Sequence, residues 1–152
     1  MSQENVEVVR RQFDATERAG EVYRKEPYSY AAAVREGTLP PAVQEMMRYV
    51  HPEVEWTPAF STKTYRGYLG VAEAWDEFLE AAEDYTLTLR DLIDTGGDQV
   101  VAVVDGAIRG KGSGAEATAR ICCVFTLRDN LIVKMTDYLE LREALEAVGL
   151  SE

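Results

Sequence analysis

Asp137 is the residue whose position most suggests chemistry. Strand alternation over Leu131 to Asp137 puts Leu131, Val133, Met135 and Asp137 on one face, so a carboxylate stands at the end of an apolar row. Loss of water there raises a carboxyl pKa and suits it to acid or base work. The competing reading is an aspartate at the strand's wet end, capping a turn or pairing with Arg120. Arg120 alternates in register with Cys122 and Val124. If that row faces inward, its guanidinium enters a pocket and can pair with Asp137 or hold a ligand carboxylate, with Cys122 beside it as a small hydrophobe. If the row faces outward, Arg120 is a solvated or interface residue. His51 is the only histidine and a natural general base, but it precedes Pro52 at a helix-to-strand junction, where a capping role fits better. Phe13, Tyr49, Trp56 and Trp75, with Val104 and Met135, are expected as core and pocket wall, since aromatic rings supply area before chemistry. The acidic series Glu73, Asp76, Glu77, Glu80, Glu83 and Asp84 reads as the wet face of a helix.

The elements that must position these residues follow from period and punctuation. Ser2 caps a helix carrying Val6, Val9 and Phe13 up to Gly20. Residues 21–40 are irregular, with Ser29 ahead of Ala31, Ala32, Ala33 and Val34 and a closing Gly37, which predicts a short extra helix. Tyr23, Tyr28 and Tyr30 lie in that segment. Its length for a helix connection predicts a cover near a pocket mouth. Pro40-Pro41 opens a helix with Val43, Met46, Met47 and Val50 on one face, ended by Pro52. From Gly70, a stripe of Val71, Ala74, Trp75, Phe78, Leu79 and Ala82 marks the clearest helix. After Tyr85 the period falls to two, giving strands over 99–108, 118–127 and 131–138 besides the one at Leu87 and Leu89. A short helix with Leu141, Leu145 and Val148 closes the chain. Helices followed by an antiparallel meander make the class α+β, with helices packed on one face of a curved sheet.

At 152 residues the chain is one domain, 1–152. Leu, Ile, Val and Phe number 36 of 152, above the level of about 20% needed to fill a core. The net charge of −11 argues against nucleic acid and anionic lipid surfaces, whose phosphates would be repelled. No apolar run approaches the ~20 residues of a membrane helix, and the polar N-terminus does not resemble a signal peptide, so a cytoplasmic protein is expected. The only cysteines, Cys122 and Cys123, are adjacent and point to opposite strand faces, which gives neither a disulfide framework nor a metal set. No cofactor is called for.

Taken in order, His51-Pro52-Glu53-Val54-Glu55-Trp56, Tyr65-Arg66-Gly67, Gly70-Val71, Phe125-Thr126-Leu127-Arg128-Asp129, Ile132-Val133 and Asp137-Tyr138 resemble the SnoaL-like group of the nuclear transport factor 2-like superfamily. The resemblance covers nearly the whole chain except 21–40, which looks like an insertion. It implies a cone of four to six antiparallel strands around helices, an apolar pocket open at one end, and a homodimer through the outer sheet face. Ile121, Cys123 and Phe125 would be free for that contact if the opposite row lined the pocket. The fold does not fix the function. In ketosteroid isomerases, which the layout resembles, the base position falls on Trp56 and the two oxyanion donors on Phe13 and Cys122, so those roles are vacant. The C-terminal stretch resembles limonene epoxide hydrolase, whose last aspartate matches Asp137. Its two other catalytic positions fall on Val104 and Gly106, one residue either side of Asp105, which a β-bulge could turn inward. Two functions follow as expectations: a pocket that binds a small, largely apolar molecule, or a cofactor-independent epoxide hydrolase, cyclase or isomerase with Asp137 as acid or base.

Overall fold

The computed structural model describes residues 2–150. Five helices and six strands run α1 (Ser2–Lys25), α2 (Tyr30–Glu36), α3 (Pro41–Met47), β1 (Val50–Thr57), β2 (Tyr65–Arg66), α4 (Gly67–Ala81), β3 (Ala82–Asp94), β4 (Gln99–Gly110), β5 (Glu116–Arg128), β6 (Leu131–Tyr138) and α5 (Leu141–Ala147). The class is α+β. The strands form one open sheet in the order β2-β1-β6-β5-β4-β3. It is mixed rather than wholly antiparallel, because β1 runs parallel to β6. A parallel pair needs a long crossover, and α4 with β3–β5 supplies it.

Helix α1 does not stop at Gly20. A side chain there would come within 3.1 Å of the Tyr85 hydroxyl, so the glycine lets the helix lie close against β3 instead of ending it. The turns beyond Gly20 tie down on that strand through Arg24, whose Nη2 donates to Tyr85 O at 2.7 Å and whose guanidinium lies 5.0 Å over the Tyr85 ring. Helix α2 is capped as its sequence predicts, by Ser29 at its start and a left-handed Gly37 (φ 70°) at its end. Helix α3 ends at Met47, earlier than the proline signal implies, and Val50 and Pro52 belong to β1. Proline is tolerated there because the β1–β6 register is irregular between Val50 and Glu55. Gly67, at φ 72°, lets α4 begin three residues before Gly70.

The main core fills the space between α1 and the inner sheet face, with Val9, Phe13, Val54, Val100, Val104, Phe125 and Ile132. Ile132 is there because of a bulge. Leu127 pairs with Ile132 but Thr126 pairs with Lys134, so Val133 is an extra residue on β6. The strict alternation expected for β6 therefore fails at its start: Ile132, not Leu131 or Val133, faces the core along with Met135 and Asp137.

The outer sheet face is not bare. Helix α5 covers Val101, Val103, Cys122 and Val124 with Leu141, Ala144 and Val148. The row Ile121, Cys123 and Phe125 points the other way, so the surface expected for a homodimer contact is not made of those residues. Among the described residues, no helix is long and apolar enough to cross a membrane.

Candidate functional site

Between the helices and the inner sheet face lies a cavity of about 350 Å³. Helix α1 contributes Phe13, β4 contributes Val104 and Gly106, and β5 contributes Ala119, Ile121, Cys123 and Phe125. The 21–40 segment adds Tyr30, Val34 and Leu39. Its position over the cavity is fixed by α4: Asp76 accepts from Ser29 Oγ at 2.7 Å, Tyr30 N at 2.8 Å and Ala31 N at 3.1 Å. Asp76 was expected only on the wet face of its helix; helical spacing does not reveal that its carboxylate meets another helix's free N–H groups.

One wall is a closed circuit of four rings. Trp56 lies 5.9 Å from Phe60, Phe60 5.4 Å from Phe78, Phe78 5.8 Å from Trp75, and Trp75 5.8 Å from Trp56. All four face the cavity. Phe60 carries no periodic signal, since it sits in the loop after β1, and it was missed for that reason. Of the large apolar residues that line the cavity, Phe60, Ile108 and Leu139 remain exposed.

Asp137 stands beside this wall. It is surrounded by protein but reachable from the cavity. One carboxylate oxygen accepts Trp56 Nε1–H at 3.3 Å and the Ala59 backbone N–H at 3.2 Å. Its cross-strand partner is Cys123, whose thiol hydrogen-bonds the carboxylate. Burial raises the Asp137 pKa above the usual carboxylate range, outweighing the three hydrogen bonds that lower it. Burial, with the neighbouring carboxylate, also drives the Cys123 thiol well above its ordinary value, so it is a neutral donor and not a thiolate. Among the described residues that line the cavity, Asp137 is the only carboxylate, and none is Lys, Arg or His.

Of the residues singled out in the sequence, the structure gathers Phe13, Trp56, Trp75, Val104, Met135 and Asp137 around the cavity. Three do not join them. Arg120 lies on the outer face, where its Nε donates to Asp105 Oδ1 at 2.9 Å while Arg90 binds the other Asp105 oxygen at 2.8 Å. Cys122 is buried on that same side under α5. Tyr49 donates to Glu45 Oε1 at 3.3 Å and is outside the lining. The inversion of β5 has a plain reason: the inward row of Ala117, Ala119, Ile121, Cys123 and Phe125 is wholly apolar, whereas the other row carries the charged Arg120. That contrast was present in the sequence.

No bulge turns Asp105 inward, so the epoxide hydrolase positions Val104 and Gly106 face the cavity without charged groups. His51 Nδ1 accepts the Glu53 backbone N–H at 3.0 Å, a local turn contact outside the cavity.

Residues 29–135 match the family described as SnoaL-like domain. The search of curated proteins finds no match. A solved structure of a putative SnoaL-like polyketide cyclase from Jannaschia sp. CCS1 is similar at TM-score 0.65 and 16% identity, over 99% of this chain and 94% of that one. A protein with a ketosteroid isomerase-like fold from Catenulispora acidiphila DSM 44928, in complex with trimethylamine, is similar at TM-score 0.56 and 17% identity, covering 80% and 90%. The RV0760c protein from Mycobacterium tuberculosis, in complex with estradiol-17beta-hemisuccinate, is similar at TM-score 0.54 and 14% identity, covering 81% and 95%. At these identities the structures speak to the fold alone. With most of its length matched to the family and the same fold throughout, the chain belongs to the SnoaL-like domain family.

Proposed function

We propose that the protein binds a small, largely apolar molecule in the cavity between its helices and its sheet. The observation that carries this is the composition of the lining: predominantly aromatic and aliphatic side chains around about 350 Å³, with Gln12, Thr16, Thr118 and one carboxylate held in place by two N–H donors. That volume lies in the range of about 300–1,000 Å³ typical of small-molecule sites, and few polar groups in an apolar wall is their usual pattern. Two similar structures hold small organic molecules, which supports the same reading.

The test is direct. N-phenyl-1-naphthylamine is apolar, neutral at pH 7 and excited by tryptophan emission, and both tryptophans line the cavity. Titration is expected to quench Trp56 and Trp75 in a saturable way with one probe per chain. Ala119→Phe, which adds a ring to the exposed β5 part of the lining, is expected to weaken that binding about tenfold or more. Unsaturable quenching, or binding indifferent to Ala119→Phe, would contradict the proposal.

Asp137 favours a second reading. A buried carboxyl of raised pKa that faces a cavity is suited to take or give a proton, which fits a cofactor-independent cyclase, isomerase or epoxide hydrolase. In that case water or substrate would have to occupy the roles that the apolar Phe13, Val104 and Gly106 leave unfilled. The discriminating outcome is turnover of a bound polyketide-like or epoxide compound that is lost in Asp137→Asn while the compound still binds.

A further inference from the structure

Resting on the reading of this cavity as a ligand site, we infer that the ligand is an organic cation: an apolar molecule bearing a protonated amine, with its ammonium against Asp137 and beside the Trp56, Phe60, Phe78 and Trp75 rings.

Three observations converge on that chemistry. The first is an uncompensated charge. Asp137 is the only carboxylate among the described lining residues, and no basic side chain shares the cavity with it. Burial without a basic partner disfavours the carboxylate form, and a ligand ammonium beside it would supply the counter-ion that lets the group ionise. The second is the state of its oxygens. Oδ2 accepts from Trp56 Nε1 and Ala59 N, and among the described residues the only other donor at the carboxyl is the Cys123 thiol, so it has capacity for a further donor. An ammonium N–H is such a donor, whereas a ligand carbonyl would need the carboxyl to carry a proton. The third is the wall itself. Four aromatic rings, two of them indoles, line the cavity with successive centroids 5.4–5.9 Å apart, and an aromatic face attracts an ammonium and its polarised methyl groups. The net charge of −11 adds a field that concentrates cations at the surface before they enter.

The experiment compares two ligands of one shape. N,N-dimethylbenzylamine is protonated at pH 7.5, and isobutylbenzene has the same skeleton with carbon in place of the charged nitrogen. Each is titrated against the protein with bound N-phenyl-1-naphthylamine as the displaced probe. The amine is expected to displace the probe at a concentration at least about tenfold lower than the hydrocarbon. In Asp137→Asn that preference is expected to disappear. Equal displacement, or better displacement by isobutylbenzene, overturns the cation inference while leaving an apolar-ligand site intact. Failure of the probe itself to bind overturns both. The wild-type comparison decides the matter without the variant, so a poorly folded Asp137→Asn would not rescue the proposal. A preference for the amine that persists undiminished in a folded Asp137→Asn would also count against it.

Discussion

At the residue scale, Asp137 carries the account. Its apolar row and strand position are legible in the sequence; its partners are not, because Trp56, Ala59 and Cys123 lie 14 or more positions away and meet it only through strand pairing. The same limit explains Arg120. A guanidinium and a carboxylate on consecutive strands suggest each other, but the fold gives Arg120 to Asp105, its direct cross-strand neighbour. The raised Asp137 pKa has a signed consequence. The folded state favours the protonated carboxyl, so that contribution to stability is present below the ordinary carboxyl pKa of about 3.9 and is lost as pH rises through the raised value. Asparagine does not titrate there. The melting temperature of Asp137→Asn, relative to wild type, is therefore expected to rise between pH 4 and pH 7. A difference that stays constant over that range would contradict the burial argument.

At the element scale, caps and alternation were readable and long-range contacts were not. Ser29 and Gly37 bracket α2 as local chemistry demands, and the 131–138 strand has the predicted bounds. Gly20 misled because a glycine that stops a helix and a glycine that lets another strand approach are the same letter; only the Tyr85 hydroxyl distinguishes them. The bulge at Val133 was hidden for a similar reason, since nothing local marks the extra residue that turns Ile132 into the core. Helix α2 depends on a contact from outside itself. Asp76→Ala removes three acceptor contacts at its start, two of them to backbone N–H groups, and is expected to cost about 1–2 kcal/mol of stability. Thermal melting would record the loss, and limited proteolysis would locate it as faster cleavage within 26–40. Unchanged cleavage there would mean that the segment is held by its aromatic packing instead, through Tyr23, Tyr28 and Tyr30.

At the scale of the whole molecule, the α+β class follows from helices preceding a run of strands, but the parallel β1–β6 pairing does not, because the strand at 50–57 lies among helices in the sequence and reaches the sheet only in three dimensions. Which sheet face is inner decides everything about the site. It sets Ile121, Cys123 and Phe125 against the helices and Cys122 and Val124 under α5. The central claim is that the space so enclosed takes up an apolar guest. Met46 and Met47 from the helices and Met135 from the sheet all line it, which makes their methyl groups reporters from opposite walls. The most direct measurement is a titration with N-phenyl-1-naphthylamine, followed by NMR of ¹³C-methyl-methionine protein assigned through single Met→Leu variants. The account predicts that the Met46, Met47 and Met135 methyl signals shift together and saturate at one probe per chain. Signals that stay fixed while the probe binds elsewhere, or shifts that never saturate, would contradict it.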